Sequence, residues 1–322
     1  MMSSTTILSL QQIEAYLQTV DLIPLIEKGF VDYSNGLAVV PPVGELLFEE
    51  PTGETHIKYG YIKEQAYYAV KIASGFPDNT ALGIKTSQGV VLLFSQQTGA
   101  LRCVLLDEGY LTDVRTAIAS MITLKHLAPK KIKRIGIVGT GIQAKLQLAF
   151  LHQVTDCKNI VVWGRTPENV AAYQAHFKDS AFTIEAADSL AYLASECQAI
   201  ITTTPTKEPL LYFEYIQKGT HITALGSDTA DKIELDPNIL LHADVVVVDS
   251  KSQSQSRGEV FQARKYDCLK EDQLLELGTL IADPSIGRQN DTQTTVADLT
   301  GVAVQDIMIA TAVFEHHLND KE

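Results

Sequence analysis

Three ionisable side chains stand where a freely solvated charge would gain little. Lys71 lies between Ala69 and Ala73 on one face of an alternating stretch, Tyr67 to Ser74, whose other face carries Tyr68, Val70 and Ile72. Arg115 falls in the first turn of a helix expected from a cap at Thr112 or Asp113 to about Leu127, where the helix dipole disfavours a cation and favours an anion. Asp228 follows an apolar run in Leu225-Gly-Ser-Asp228, where the loop after a strand can bring a carboxylate to a reacting atom. A lysine and an arginine can hold one carboxylate together, the arginine through two parallel hydrogen bonds, and helix N–H groups can share it. Each residue also has a plainer reading: Lys71 snorkelling to a sheet edge, Arg115 paired with Asp107, Glu108 or Asp113, and Asp228 as a turn former.

A second constellation binds rather than reacts. Ile135 to Val138 reads as a strand buried on both faces, and Gly139, Gly141 and Ala144 follow it in the spacing G-x-G-x-x-A. The first glycine suits a tight turn, the second lets backbone approach a pyrophosphate, and the small third residue lets helix pack on strand. Ile142, Gln143 and Ala144 open the helix, whose unpaired N–H groups and positive dipole end suit phosphates. The glycines alone would also fit an ordinary strand-turn-helix. The next strand, Asn159 to Trp163, ends at Gly164-Arg165-Thr166, where an NAD site usually places an acidic residue. A guanidinium and a hydroxyl there suit a 2′-phosphate, so the expected cofactor is NADPH, with NADH as the other candidate and Arg165 as a solvated turn residue the alternative.

These residues need two kinds of scaffold. The first part of the chain reads as α+β: a helix capped by Ser9 and running through Leu17, a helix from Leu22 to Tyr33 stopped by Asn35-Gly36, then strands. Val91 to Ser95 and Leu101 to Leu106 flank the hairpin signal Gln97-Thr98-Gly99. Beyond the charged linker Pro129 to Arg134, strands and helices alternate, with strands expected at 135–138, 160–163, 182–185, 199–203, 221–225 and 244–248. The expectation is a Rossmann, doubly wound parallel sheet in 129–301 and an α+β domain in 1–128. The last amphipathic segment, Ala303 to about Leu318, lies within 302–322 and completes that first domain.

Composition narrows the partners. A net charge of −13 leaves no basic face for nucleic acid or an anionic membrane, and it requires local cations to draw in an anionic substrate. Cys103, Cys157, Cys197 and Cys268 show no paired spacing, so neither a disulfide framework nor a metal site is expected. The start of the chain lacks a basic region followed by a sustained apolar stretch, and no run reaches a membrane span; a cytoplasmic protein is the expectation.

The segments Val70 to Gly75, Leu111 to Ala117, Gly139 to Ala144, Ala224 to Asp228, Glu234 to Pro237, Val247 to Ser250 and Gly301 to Asp306 together resemble the ornithine cyclodeaminase/μ-crystallin family. The resemblance implies a homodimer acting on a small imino acid, with 1–128, completed by 302–322, as the substrate-binding and dimerisation domain. Lys71 would stand near substrate, Arg115 would bind its carboxylate, and Asp228 would be the acid/base aspartate. Arg165 and Thr166 resemble the NADPH-binding pair of some members, and Thr204, Pro205 and Leu225 fall where members line the nicotinamide ribose. Many relatives carry an arginine in the region of Val40 to Glu45. This chain has none there, and His56 or Lys58 are the candidates to replace it. The implied reactions are reduction of Δ1-pyrroline-2-carboxylate to proline or of Δ1-piperideine-2-carboxylate to pipecolate. The alternatives are ornithine cyclodeamination, an alanine-type dehydrogenase or iminosuccinate reductase, and a μ-crystallin-like ligand-binding protein.

Overall fold

A computed structural model describes residues 5–320. The opening residues read for an export signal, and the end of the 302–322 segment, lie partly outside that range. The chain divides into two compact units, Met1–Arg115 with Val302–Glu322, and Thr116–Gly301.

In the first unit the elements are β1 (Thr6–Ser9), α1 (Leu10–Leu17), α2 (Leu22–Ser34), β2 (Ala38–Val39), β3 (Gly44–Phe48), β4 (Gly53–Ile62), β5 (Tyr67–Gly75), β6 (Ser87–Ser95) and β7 (Leu101–Leu106). The helix α3 (Tyr110–Leu127) leads into the second unit. Ser9 caps α1, its N–H donating to Gln12 Oε1 at 3.0 Å, and Gly36 ends α2 in the left-handed region at φ +72°. The strands form one sheet in the order β1-β7-β6-β5-β4-β2, with β3 also paired to β4. Register places Lys58 opposite Lys71, and His56 opposite Ala73 on one side and Glu45 on the other. Alternation then buries His56, Lys58, Ala69 and Lys71 on one face while Tyr59 and Tyr61 stay exposed on the other.

The second unit contains β8 (Ile135–Val138), α4 (Ile142–Phe150), β9 (Asn159–Trp163), α5 (Pro167–His176), β10 (Thr183–Ala186), α6 (Leu190–Glu196), β11 (Ala199–Thr202) and β12 (His221–Ala224). It continues with α7 (Pro237–His242), β13 (Val245–Val248), α8 (Gly258–Lys265), β14 (Leu274–Glu276), α9 (Leu277–Ala282) and β15 (Thr295–Asp298). The helix α10 (Ala303–Asn319) returns to the first unit, where it packs on α2, β4 and β5. All eight strands of the second unit are parallel, in the order β10-β9-β8-β11-β12-β15-β13-β14. The winding reverses between β8 and β11, which is where such sheets bind ligands outside their carboxyl ends.

The expected doubly wound sheet is therefore present with two strands more than the six expected. β15 lies between β12 and β13, fully buried, yet its ends are Thr295 and Asp298, so it lacks the apolar run that marks its neighbours. β1 to β4 were also unmarked. β1 is four residues long, and Leu46 and Leu47 in β3 are exposed at 55% and 73%, so no in–out alternation betrays it.

Two positions need correction. The helix α3 begins at Tyr110, because Gly109 turns at φ +85° and the Asp107 carboxylate accepts the Leu111 N–H at 2.9 Å. Arg115 consequently lies in the second turn, and first-turn N–H groups are already engaged: Leu111 with the Asp107 carboxylate, Tyr110 with the Asp107 carbonyl and Asp113 with the Gly109 carbonyl. The division into units falls at 115/116, inside α3, rather than after the helix at 128/129. The distal half of α3 is tied to the second sheet: Thr123 and Thr223 hydroxyls meet at 2.8 Å, and the Leu127 carbonyl accepts from the Thr295 hydroxyl and Arg288.

Candidate active site

In the second unit the glycine turn has the geometry of a phosphate cradle. Gly139 adopts φ +119°, and a Cβ there would lie 2.4 Å from the Thr203 hydroxyl, so both conformation and space demand glycine. Ala144 is fully buried, and its carbonyl accepts the Tyr173 hydroxyl at 3.0 Å, which closes the helix onto the sheet. Gly141 is different. Its φ of −77° suits any residue, and nothing lies within 4 Å of the Cβ it lacks. Nothing in the protein itself requires glycine there; the space it leaves at the N-terminus of α4 fits a pyrophosphate approaching the backbone.

That space opens into a cleft of about 670 Å³ whose lining includes Gly139, Gly141, Trp163, Arg165, Thr166, Thr204 and Pro205. Ile142, Gln143, Ala144 and Leu225 do not line it; Ile142 and Gln143 begin α4, and Leu225 is buried after β12. Arg165 is exposed and makes no hydrogen bond or ion pair among the described residues, at the strand end where an acidic ribose partner would otherwise sit. The second unit thus has the donors, the shape and a cation for a dinucleotide. Asp228 is held by Lys232, whose Nζ donates to Oδ1 at 2.8 Å, and its carbonyl accepts from Arg257 at 3.2 Å.

In the first unit the sheet presents a buried cluster of charge. Lys71 is 1% exposed, so it does not snorkel, and its Nζ donates to Asp306 Oδ1 at 3.1 Å. Arg115 donates from Nε to the same oxygen at 3.1 Å and from Nη1 to Gln305 Oε1 at 2.7 Å, rather than to Asp107, Glu108 or Asp113. Lys58 and His56 are buried beside them on β4, with His56 Nε2 3.5 Å from Glu45 Oε1. Burial, and then the charge of Arg115, push the Lys71 ammonium down to about 8 against the pull of Asp306. Burial pushes Asp306 up, but Lys71, Arg115 and Lys58 together outweigh it and hold the carboxyl below its ordinary value.

Lys71 and Arg115, named from sequence, are thus joined by Lys58 and completed by Asp306, a residue sequence reasoning gave no role. The signal for it was available: Gln305 and Asp306 are polar residues in the first turn of a helix that continues with the apolar run Ile307 to Ala310, and the helix buries both of them. Among the described residues no group of three or more His, Cys, Asp or Glu could hold a metal ion, all four cysteines are free, and no helix is long and apolar enough to cross a membrane.

The chain is similar to known proteins over most of its length. A chain from Sinorhizobium fredii called an uncharacterized cyclodeaminase is 38% identical over 86% of this protein and 84% of its own length. A solved Δ1-pyrroline-2-carboxylate reductase of Thermococcus litoralis, in complex with NADH and L-proline, superposes with a TM-score of 0.91 at 27% identity, covering 98% of both chains. An archaeal alanine dehydrogenase dimer with bound NAD gives 0.90 at 29% identity, covering 99% of this chain and 97% of the other. The model of the ornithine cyclodeaminase/mu-crystallin family matches residues 3–321, and with that match over nearly its whole length the chain belongs to this family.

Proposed function

We propose that this protein is an oxidoreductase that reduces the C=N bond of a cyclic imino acid, Δ1-pyrroline-2-carboxylate to L-proline or its six-membered homologue to L-pipecolate, with NADPH in preference to NADH. The observation that carries the reading is the buried cluster of Lys58, Lys71 and Arg115 around Asp306, with the buried Asp107 carboxylate also acting on Lys71; three cations to two carboxylates suit one more carboxylate, that of a substrate. The backbone at Gly139 and Gly141, with the N–H groups of Ile142 and Gln143 that open α4, would hold the pyrophosphate, Arg165 and Thr166 the 2′-phosphate, and Thr204 and Pro205 the nicotinamide ribose, with Leu225 buried after β12 as part of the supporting segment. When bound, the reduced cofactor supplies a hydride to the imine carbon.

The protein's own residues then do three things. Arg115 and Lys71 hold the carboxylate, and Lys58 supplies the cation that the 40–45 region lacks, with His56 beside it. Asp228 hydrogen-bonds the ring nitrogen and favours its protonated form, the better hydride acceptor. Lys232 fixes where the Asp228 carboxylate points. The reading includes a homodimer, for which exposed apolar residues such as Ile7 and Leu47, at 63% and 73%, are suited.

Ornithine cyclodeamination would use the same carboxylate cluster, and the name of the S. fredii relative favours it; the free guanidinium of Arg165 favours net reduction with NADPH. A panel decides between them. NADPH and NADH are each offered with Δ1-pyrroline-2-carboxylate, Δ1-piperideine-2-carboxylate and pyruvate with ammonia, beside ornithine with NAD⁺. Rapid loss of NADPH absorbance with a cyclic imine is expected. Proline and ammonia from ornithine, with no imine reduction, would replace this reading with the second.

A further inference from the structure

Glu234 is completely buried, and its carboxylate accepts hydrogen bonds from two different strand ends. Oε1 takes the Thr204 N–H and the Thr204 hydroxyl, each at 2.6 Å. Oε2 takes the Gly226 N–H at 2.7 Å and the Thr202 hydroxyl at 2.6 Å. Thr202 and Thr204 belong to the end of β11 and its following segment, and Gly226 to the segment leaving β12, so one side chain ties the two together. The approach is close: a Cβ on Gly226 would lie 2.0 Å from the Thr204 carbonyl oxygen.

Glu234 is itself held from behind. Its N–H donates to Glu259 Oε1 at 2.7 Å and the Leu235 N–H donates to Oε2 at 3.2 Å; Glu259 opens α8, whose Val260 N–H donates to Asp298 at 2.9 Å. A packed apolar side chain could brace two strands equally well. Only an acceptor-only group can satisfy two buried N–H donors and two hydroxyls at once, and these donors sit at the carboxyl ends of the strands, where doubly wound sheets bind their ligands.

We propose that Glu234 is a positioning residue for hydride transfer. It fixes the segment of Thr204 and Pro205 against the segment of Leu225 and Asp228, and so sets the nicotinamide ribose and the acid–base carboxylate relative to one another. This rests on the dinucleotide reading above. Glu234 is not among the residues lining the cleft, and it acts through Thr204 and Gly226.

Glu234→Gln tests it, because the amide has one NH₂ end. In either orientation that end meets a backbone N–H, of Thr204 or of Gly226, and no hydroxyl rotation relieves both. One segment must move, and a displacement near 1 Å costs on the order of 10²-fold in rate. Trp163, the single tryptophan, lines the cleft and reports nucleotide binding by quenching. NADPH and NADH are titrated against that fluorescence, and turnover is measured with Δ1-pyrroline-2-carboxylate or the best substrate of the panel.

The expected result is nucleotide binding within about threefold of wild type, with kcat per folded molecule lower by about 10²-fold. A kcat within threefold of wild type overturns the proposal, and so does a loss of kcat matched by equal loss of nucleotide binding. Should Glu234→Gln fail to fold, Thr202→Val decides, since Thr202 is buried away from the cleft lining and Glu234 keeps its other three donors. Turnover about tenfold lower with unchanged binding upholds the proposal, and unchanged turnover overturns it. If the wild-type protein quenches with neither nucleotide, the dinucleotide reading fails and takes this proposal with it.

Discussion

Replacing Asp306 by asparagine should show whether one carboxylate keeps the cation cluster charged. Asp306 Oδ1 receives both Lys71 Nζ and Arg115 Nε at 3.1 Å, and all three side chains are at most 6% exposed. Asparagine preserves the shape and one acceptor oxygen but removes the charge that compensates two buried cations. Removing one partner of a buried ion pair costs about 3–5 kcal/mol, because the remaining charge has no water to replace it. Lys71 already titrates at about 8, and without Asp306, which raises it, the ammonium falls further and part of the cost is met by deprotonation. The net loss in unfolding free energy at neutral pH should therefore sit near the lower bound, about 3 kcal/mol. Urea denaturation measures it. Lys71→Met on the same background should restore part of the loss, a coupling of about 1–3 kcal/mol in the double-mutant cycle. Loss below about 1 kcal/mol, the ceiling for a solvent-screened surface pair, or strictly additive effects, would refute the claim that Asp306 compensates this cluster.

Three further outcomes are expected. Arg165→Ala should raise KM for NADPH by about tenfold or more while leaving KM for NADH nearly unchanged, as loss of one charge-assisted contact to a 2′-phosphate requires; equal effects in steady-state assays would remove the NADPH preference. Lys71 is charged below about 8, so kcat/KM for a carboxylate substrate should fall as pH rises through 8, and a flat profile from pH 6 to 10 would show that Lys71 does not hold it. Burial pushes Asp298 up to about 7 from 3.8, so the folded state keeps a proton that the unfolded chain releases. Stability from this group is full below pH 4 and lost as pH rises to 7, about 4 kcal/mol by linkage, with Glu259, raised by burial and by Asp298 and Glu234, acting in the same sense. Urea midpoints measured from pH 4 to 8 check the slope, which should shrink in Asp298→Asn.

The second unit was the more legible of the two because its strands are buried on both faces. Val245 to Val248 and Ile160 to Val162 announce themselves as apolar runs, and Gly139 is recognisable because a left-handed turn admits little else. The position of β15 was hidden by Thr295, whose hydroxyl donates to Leu127, and by Asp298, whose carboxylate serves α8: polar ends with partners supplied from far along the chain. The start of α3 was misplaced for a related reason, since the capping group is Asp107, set before a glycine turn, rather than the nearer Thr112 or Asp113. Lys71 could be singled out as a cation in an unfavourable place, whereas the first-turn argument for Arg115 does not hold, since that residue lies in the second turn. That a residue of the last helix resolves both was not readable from either segment, because it depends on α10 returning to cover β4 and β5.

The two units bury charge in opposite ways, and the contrast bears on what each can do. In the first, cations outnumber carboxylates around Asp306, and Lys71 sits within reach of neutral pH, so the cluster's protonation is open to change by an arriving anion. In the second, Glu234, Glu259, Asp249 and Asp298 are buried with their oxygens on backbone N–H groups: Thr204 and Gly226, Glu234 and Leu235, Gly301, and Val260. Backbone donors cannot leave or reorient as lysine and arginine side chains can. Carboxylates placed on them fix loop geometry at a cost in desolvation that well-packed apolar residues would avoid, which is the pattern expected where position matters more than stability. Exchangeable charge would serve a unit that admits and releases a substrate carboxylate, and carboxyl groups fixed on backbone donors one that holds a nucleotide's reactive end still. Substituting Asp306 should therefore act first on stability and carboxylate binding, and substituting Glu234 first on turnover.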